Sequence, residues 1–136
     1  MPLRLHRRDL LAGAAATTAV SVFPGKLRAQ EPLKVGFVYV GPVGDHGWTY
    51  RHDVGRQAVE AEFGDRVETS FVESVNEGPD AERVVRQLAA SGHGLVFTTS
   101  FGFMNATVRV AEQFPDARFE HCTGYKRLDN LATYAG

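Results

Sequence analysis

LKVGFVYV, residues 33–40, followed by GPVGDHGWTY, residues 41–50, decides the fold of this chain. The first eight residues form a near-continuous apolar run ended by Gly41-Pro42. Such a run fits a strand buried on both faces, as in a parallel sheet. A helical candidate follows over Trp48 to Phe63, with apolar positions at Val54, Ala58, Ala61 and Phe63 and a stop at Gly64-Asp65. Val67, Thr69 and Phe71 alternate with polar residues as a second strand. The next helix has the clearest pattern. Ala81, Val84, Val85, Leu88 and Ala89 fall at i, i+3, i+4, i+7 and i+8, a single apolar stripe. Gly78-Pro79 opens it and Gly92 closes it. Leu95-Val96-Phe97 is a short buried strand. Met104, Val108 and Ala111 mark a third helix that ends before Pro115, Arg118 to Cys122 a fourth strand, and Leu131 to Tyr134 the start of a fifth. The order β-α-β-α-β-α-β-β predicts an α/β fold of three layers, a mainly parallel sheet with helices on both faces. The last residues, Tyr134-Ala135-Gly136, fall just after a strand begins, so the chain reads as the front part of a longer protein.

Toward the N-terminus, residues 1–29 read as an export signal. Arg4, Arg7 and Arg8 precede an apolar stretch from Leu10 to Phe23, and Ala29 suits the position before a peptidase cut. The stretch is too short to span ~30 Å of hydrocarbon as a helix. Arg7-Arg8 ahead of Asp9-Leu10-Leu11 resembles a twin-arginine signal, the route for proteins exported already folded. A general secretory signal whose basic region contains two arginines is the alternative. No cysteine lies near the cut, so a lipid anchor is not expected, and the mature protein is expected to be periplasmic. Residues 30–136 then form one domain carrying ten basic and fifteen acidic residues, net −5. That balance gives no footprint for nucleic acid or an anionic membrane. Cys122 is the only cysteine, which excludes an internal disulfide and a cysteine metal cluster.

Ligands of open α/β sheets sit beyond the carboxyl ends of the strands. The residues following each strand are therefore the candidates: Gly41 to Tyr50, Glu73 to Asn76, Thr98 to Phe103, and Thr123-Gly124-Tyr125. Glycines admit close backbone approach, and aromatic rings offer stacking faces. The composition suits a flat, polar-edged molecule such as a nucleobase, whose stacking is worth about 1–3 kcal/mol per base. The candidate ligand-binding residues are Asp45, His46, Trp48, Tyr50, Ser100 and Phe101. Each has a structural rival. Trp48 could anchor the core, Asp45 could cap the helix that follows, and at least one of Phe101 and Phe103 should pack under its loop. His46, His52 and His121 fit no standard zinc spacing, and His121 reads as structural. Gly41, Gly44 and Gly47 follow a strand, but as G-x-x-G-x-x-G rather than the dinucleotide spacing, and no Walker pattern occurs. No cofactor and no catalysis are expected.

KVGFVYVGPVGDHGWTYRHDVGRQAVE, residues 34–60, together with TTSFGFMNATVRVAEQFPDARFEHCTGYKRLDNLATYAG, residues 98–136, resembles the basic membrane protein family of ABC-transporter substrate-binding proteins. That family includes receptors for purine nucleosides and nucleobases. The resemblance implies a hinged, two-lobed type I periplasmic binding fold, monomeric when full length, that closes on its ligand and docks on an inner-membrane permease. Family members are more than twice this length, so the chain would supply most of the N-terminal lobe. The family loop after the first strand places an acid and then a stacking aromatic, and Asp45 and Trp48 stand there. The nucleoside receptors often have Ser-Phe-Asn where this chain has Gly47-Trp48-Thr49, which favours a free base. Thr99-Ser100-Phe101-Gly102 looks like the second ligand-facing segment. Two rivals remain: an exported NAD(P)-binding Rossmann oxidoreductase fragment, and a ligand-sensing receptor on the same binding fold.

Overall fold

The computed structural model describes residues 29–135; the expected export signal, apart from Ala29, lies outside the described residues. Among the described residues five strands form one sheet: β1 (Leu33–Val38), β2 (Val67–Val72), β3 (Leu95–Thr98), β4 (Arg118–Cys122) and β5 (Leu131–Tyr134). Three helices connect them: α1 (Trp48–Phe63), α2 (Pro79–Ala90) and α3 (Met104–Gln113). The spatial order is β2-β1-β3-β4-β5 and every pairing is parallel. The chain therefore steps from β1 to β2, then crosses back to the far side of β1 to lay down β3. The strand order reverses between β1 and β3, and such a switch point opens a crevice at the carboxyl ends of those two strands.

The core lies mainly on one face. All five residues of the α2 stripe are buried, as are Met104, Ala106, Val110 and Ala111 of α3. The α2 stripe and Ala106, Val110 and Ala111 close with Val38, Val96, Phe119 and Leu131 of the sheet into one apolar cluster. Burial of each large aliphatic side chain stabilises by about 1.5–3 kcal/mol, which is why this stripe fixes its helix so firmly. α2 sits close because Gly36 carries no side chain. A Cβ there would stand 3.0 Å from Leu88 Cδ1. Gly92, at φ +89°, turns the chain out of α2 into β3.

α1 occupies the opposite face and does so by other means. The apolar positions expected to mark it, Val54, Ala58, Ala61 and Phe63, are all exposed. Its buried residues are Thr49 and Asp53. The reason is that α1 meets the sheet through a polar link. Asp53 Oδ1 accepts from the Tyr39 hydroxyl at 3.2 Å and from Arg56 Nε at 2.6 Å, and Asp53 Oδ2 accepts from Gln57 Nε2 at 2.8 Å. Arg56 also donates to Thr69 Oγ1 at 2.9 Å, and its guanidinium lies 4.9 Å over the Phe71 ring. Burial pushes the Asp53 carboxyl up, but the hydrogen bonds from Arg56 and Gln57 outweigh it and hold the group below the ordinary carboxylate range. Burial and the Asp53 charge drive the Tyr39 hydroxyl well above its ordinary value. Beside α1 a groove of about 420 Å³ runs over Phe37, Phe97 and Tyr134, with His52, Gly55 and Val59 of α1 along its other wall. Phe37 and Phe97 stack at 4.8 Å and Tyr134 meets Phe97 edge-on at 6.0 Å.

Candidate functional site

The loops beyond the carboxyl ends of β1 to β4 are laced to one another. Glu73 Oε2 accepts from the Val43 amide at 2.6 Å, joining the β2 loop to the β1 loop. Trp48 Nε1 donates to the Thr99 carbonyl at 2.6 Å, joining the start of α1 to the β3 loop across the switch point. Thr99 is itself held by its amide and its hydroxyl, both donating to the Val38 carbonyl. Ser100 Oγ donates to Glu77 Oε1 at 2.5 Å, and the Ser100 carbonyl accepts from His121 Nε2 at 2.6 Å. Three non-glycine residues of the described chain hold positive φ: His46 at 53°, Ser74 at 56° and Thr123 at 65°. They sit in the loops after β1, β2 and β4. Such conformations are costly, most of all for a β-branched threonine, and they gather where a surface is shaped for binding.

Each candidate residue can now be placed. Trp48 is not in the core: it is 42% exposed, pinned by one edge through its indole N–H, with His52 at 4.9 Å on its other side. Of the phenylalanine pair, Phe103 is fully buried beneath the β3 loop and Phe101 is 56% exposed. The Phe101 ring neighbours Tyr125, itself 71% exposed, at 6.4 Å. Trp48 and Phe101 thus pair with different partners rather than with each other. His46 and Tyr50 form a third ring pair at 5.6 Å beside the α1 N-terminus. Ser100 turns its hydroxyl to Glu77. Glu77 and Tyr125 join this surface. Tyr125 lies in the segment after the fourth strand that the sequence marks as a candidate, though it is not among the six ligand-binding residues chosen there, whereas Glu77 has no distinguishing signal among many surface acids.

Asp45 caps α1. Its carboxylate accepts from the amides of Gly47 at 2.8 Å, Thr49 at 3.2 Å and Tyr50 at 3.0 Å. The Gly47 and Tyr50 amides hold the carboxyl below the ordinary value near 3.8. A depressed carboxyl stabilises the fold fully above its unfolded value and loses that contribution as pH falls through the folded value. Unfolding midpoints followed from pH 7 to pH 2.5 should therefore fall in acid by less in Asp45→Asn than in the parent protein. Equal acid sensitivity in the two would show that the cap carries no charge-dependent stability. The same capping bears on the dinucleotide alternative. The amides at the N-terminus of α1, which a pyrophosphate would need, already hold an acidic side chain. Among the described residues no three His, Cys, Asp or Glu side chains are placed to hold a metal, and no helix is long and apolar enough to cross a membrane.

Comparison with known proteins bears on the fold and the family. The family model described as ABC transporter substrate-binding protein PnrA-like matches residues 33–136. A purine-binding protein of Brucella abortus is 54% identical over 119 residues, covering 88% of this chain and 34% of that protein. A Haloferax volcanii protein that bears the name of an ABC transporter glucose-binding protein is 40% identical over 106 residues, covering 78% of this chain and 27% of its own. The chain therefore spans about a third or less of these relatives' lengths. Among solved structures, a solute-binding protein of an ABC transporter system from Conexibacter woesei superposes with a TM-score of 0.68 at 21% identity, over 76% of this chain and 35% of that one. A transcriptional activator of the comK gene from Bacillus halodurans superposes with a TM-score of 0.64 at 23% identity, over 74% of this chain and 33% of its own. Likeness at that level carries the fold alone. With the parallel sheet, the strand order and a family match across the described domain in agreement, the chain belongs to the PnrA-like family of ABC-transporter substrate-binding proteins.

Proposed function

We propose that this chain supplies the N-terminal lobe of a periplasmic receptor that takes up a purine-like base and presents it to an ABC permease, without catalysis. The observation that carries the reading is Trp48: a half-exposed indole, pinned by its N–H across the β1/β3 switch point and on the same sheet edge as the exposed Phe101 and Tyr125 rings. Aromatic faces suit a flat heterocycle, and the Ser100–Glu77 pair together with the His46 and Tyr50 side chains suits its polar rim. The 54% identity to a purine-binding protein supports the same ligand class. Residues 1–29 supply export to the periplasm, by the twin-arginine route on the reading of Arg7-Arg8. Uptake would involve closure of a second lobe over this edge.

Trp48 is the only tryptophan of these 136 residues, and its fluorescence, read as the difference between the full-length protein and its Trp48→Phe variant, reports on the proposed cleft. In the full-length protein, adenine and hypoxanthine are expected to quench it saturably at micromolar concentration, inosine less well, and NADH and glucose not at all. No response to any purine, or a saturable response to glucose in its place, would overturn the purine reading. Saturable binding of NADH would revive the oxidoreductase.

A further inference from the structure

His121 lies on β4 with its side chain fully buried. Its register partner on β3 is Thr98, whose hydroxyl bonds Thr107 of α3, so the imidazole stands on the face covered by α3. Its Nε2 is 2.6 Å from the Ser100 carbonyl. A carbonyl oxygen only accepts, so Nε2 carries the proton and Nδ1 is left as a bare lone pair. Nδ1 is the buried side-chain atom that, among the described residues, finds no hydrogen-bond partner. Gly124 closes over that side of the ring, and a Cβ there would run into the imidazole. Just before it, Thr123 is held at φ +65°. One ring therefore touches two strand-end loops, through Ser100 after β3 and through Gly124 after β4. Packing alone would favour an apolar side chain at this place, because a buried acceptor without a partner is destabilising. The imidazole is explained by the bond that its far nitrogen makes.

We propose that His121 is a positioning residue for the ligand cleft. Its Nε2–H bond sets the place of the Ser100–Phe101 segment, its ring supports the Thr123–Tyr125 loop, and together these present Phe101 and Tyr125 as a pair. The proposal rests on the reading of this sheet edge as a ligand cleft, but the coupling of the two loops can be read without any ligand.

The test compares the full-length protein with His121→Leu, which fills the space without a donor, and His121→Gln, which offers an N–H where Nε2 stands. Amide hydrogen exchange is followed over residues 100–103 and 123–125, and adenine binding is measured by calorimetry. Loss of one buried hydrogen bond predicts exchange about tenfold faster in both loops of H121L and adenine binding about tenfold weaker, with both largely restored in H121Q. Wild-type exchange and affinity in H121L would overturn the proposal, and so would a glutamine variant as impaired as the leucine one, since that is the mark of mere packing. If H121L does not fold, the nitrogen spectrum of the wild-type imidazole decides: a proton on Nε2 supports the tether and a proton on Nδ1 removes it. Should the wild type ignore adenine while H121L still loosens both loops, the purine reading falls and the coupling stands.

Discussion

Replacing Trp48 by alanine in the full-length protein is expected to weaken adenine binding by about ten- to hundredfold, measured by calorimetry because the fluorophore is lost. The lower figure follows from the stacking of a base on an aromatic face, about 1–3 kcal/mol, and the higher from adding the hydrogen bond of Nε1 to the Thr99 carbonyl. That bond does more than hold the ring. It spans 51 residues of sequence and ties the start of α1 to the β3 loop. Trp48→Phe separates the two contributions, since it keeps a stacking face and loses the donor. Its affinity should fall between parent and alanine variant. An alanine variant that binds adenine as the parent does would assign Trp48 to loop architecture and move the ligand elsewhere along the edge.

Asp53→Ala should produce the largest loss of stability. Asp53 is 3% exposed and gathers the Tyr39 hydroxyl, Arg56 and Gln57. Removing it leaves a half-buried guanidinium and a buried phenol without their acceptor. Breaking a buried ion pair from one side is strongly destabilising, here by about 2–4 kcal/mol, since Arg56 keeps Glu60 and Thr69 as partners. Denaturant unfolding reads this directly, and the thermal midpoint should fall by roughly 10 °C or more. A midpoint within about 1 °C of the parent would show that α1 does not depend on this link. Because the link is the main attachment of α1 to the sheet, and α1 carries Trp48 on its first turn, the variant should also weaken ligand binding at temperatures well below its midpoint.

These two residues show why parts of the molecule could be read from sequence and parts could not. The α2 stripe was legible because its signal is local: five apolar residues at helical spacing have one way to be buried together, and all five are. α1 has the expected bounds but the opposite logic. The apolar residues expected to mark it, Val54, Ala58, Ala61 and Phe63, face solvent, and its buried residues are a threonine and an aspartate. A count of apolar spacing cannot find such a helix face, because what draws Asp53 inward is Tyr39, fourteen residues away, and Arg56 beside it.

The same division runs through the candidate site. Strand alternation alone located the edge of the sheet where a ligand would sit, and so named the loops that hold Asp45, His46, Trp48, Tyr50, Ser100 and Phe101. It could not tell which of Phe101 and Phe103 turns outward. Nor could it show that Asp45 spends its carboxylate on the N-terminus of α1, or that His121 reaches Ser100 from another strand.

The parallel α/β architecture, the length and place of each helix, and the loops available to a ligand follow from periodicity and from residues that break it, which act over a few positions of chain. Tertiary structure decided which of those loop residues are exposed, what pins them, and which buried polar groups hold the edge together. Those outcomes depend on contacts such as Trp48 with Thr99, Ser100 with Glu77 and His121 with Ser100, across 51, 23 and 21 residues. A hydrogen bond of that kind exists only once the strand order has brought its two ends within 3 Å, and the strand order is a property of the assembled sheet.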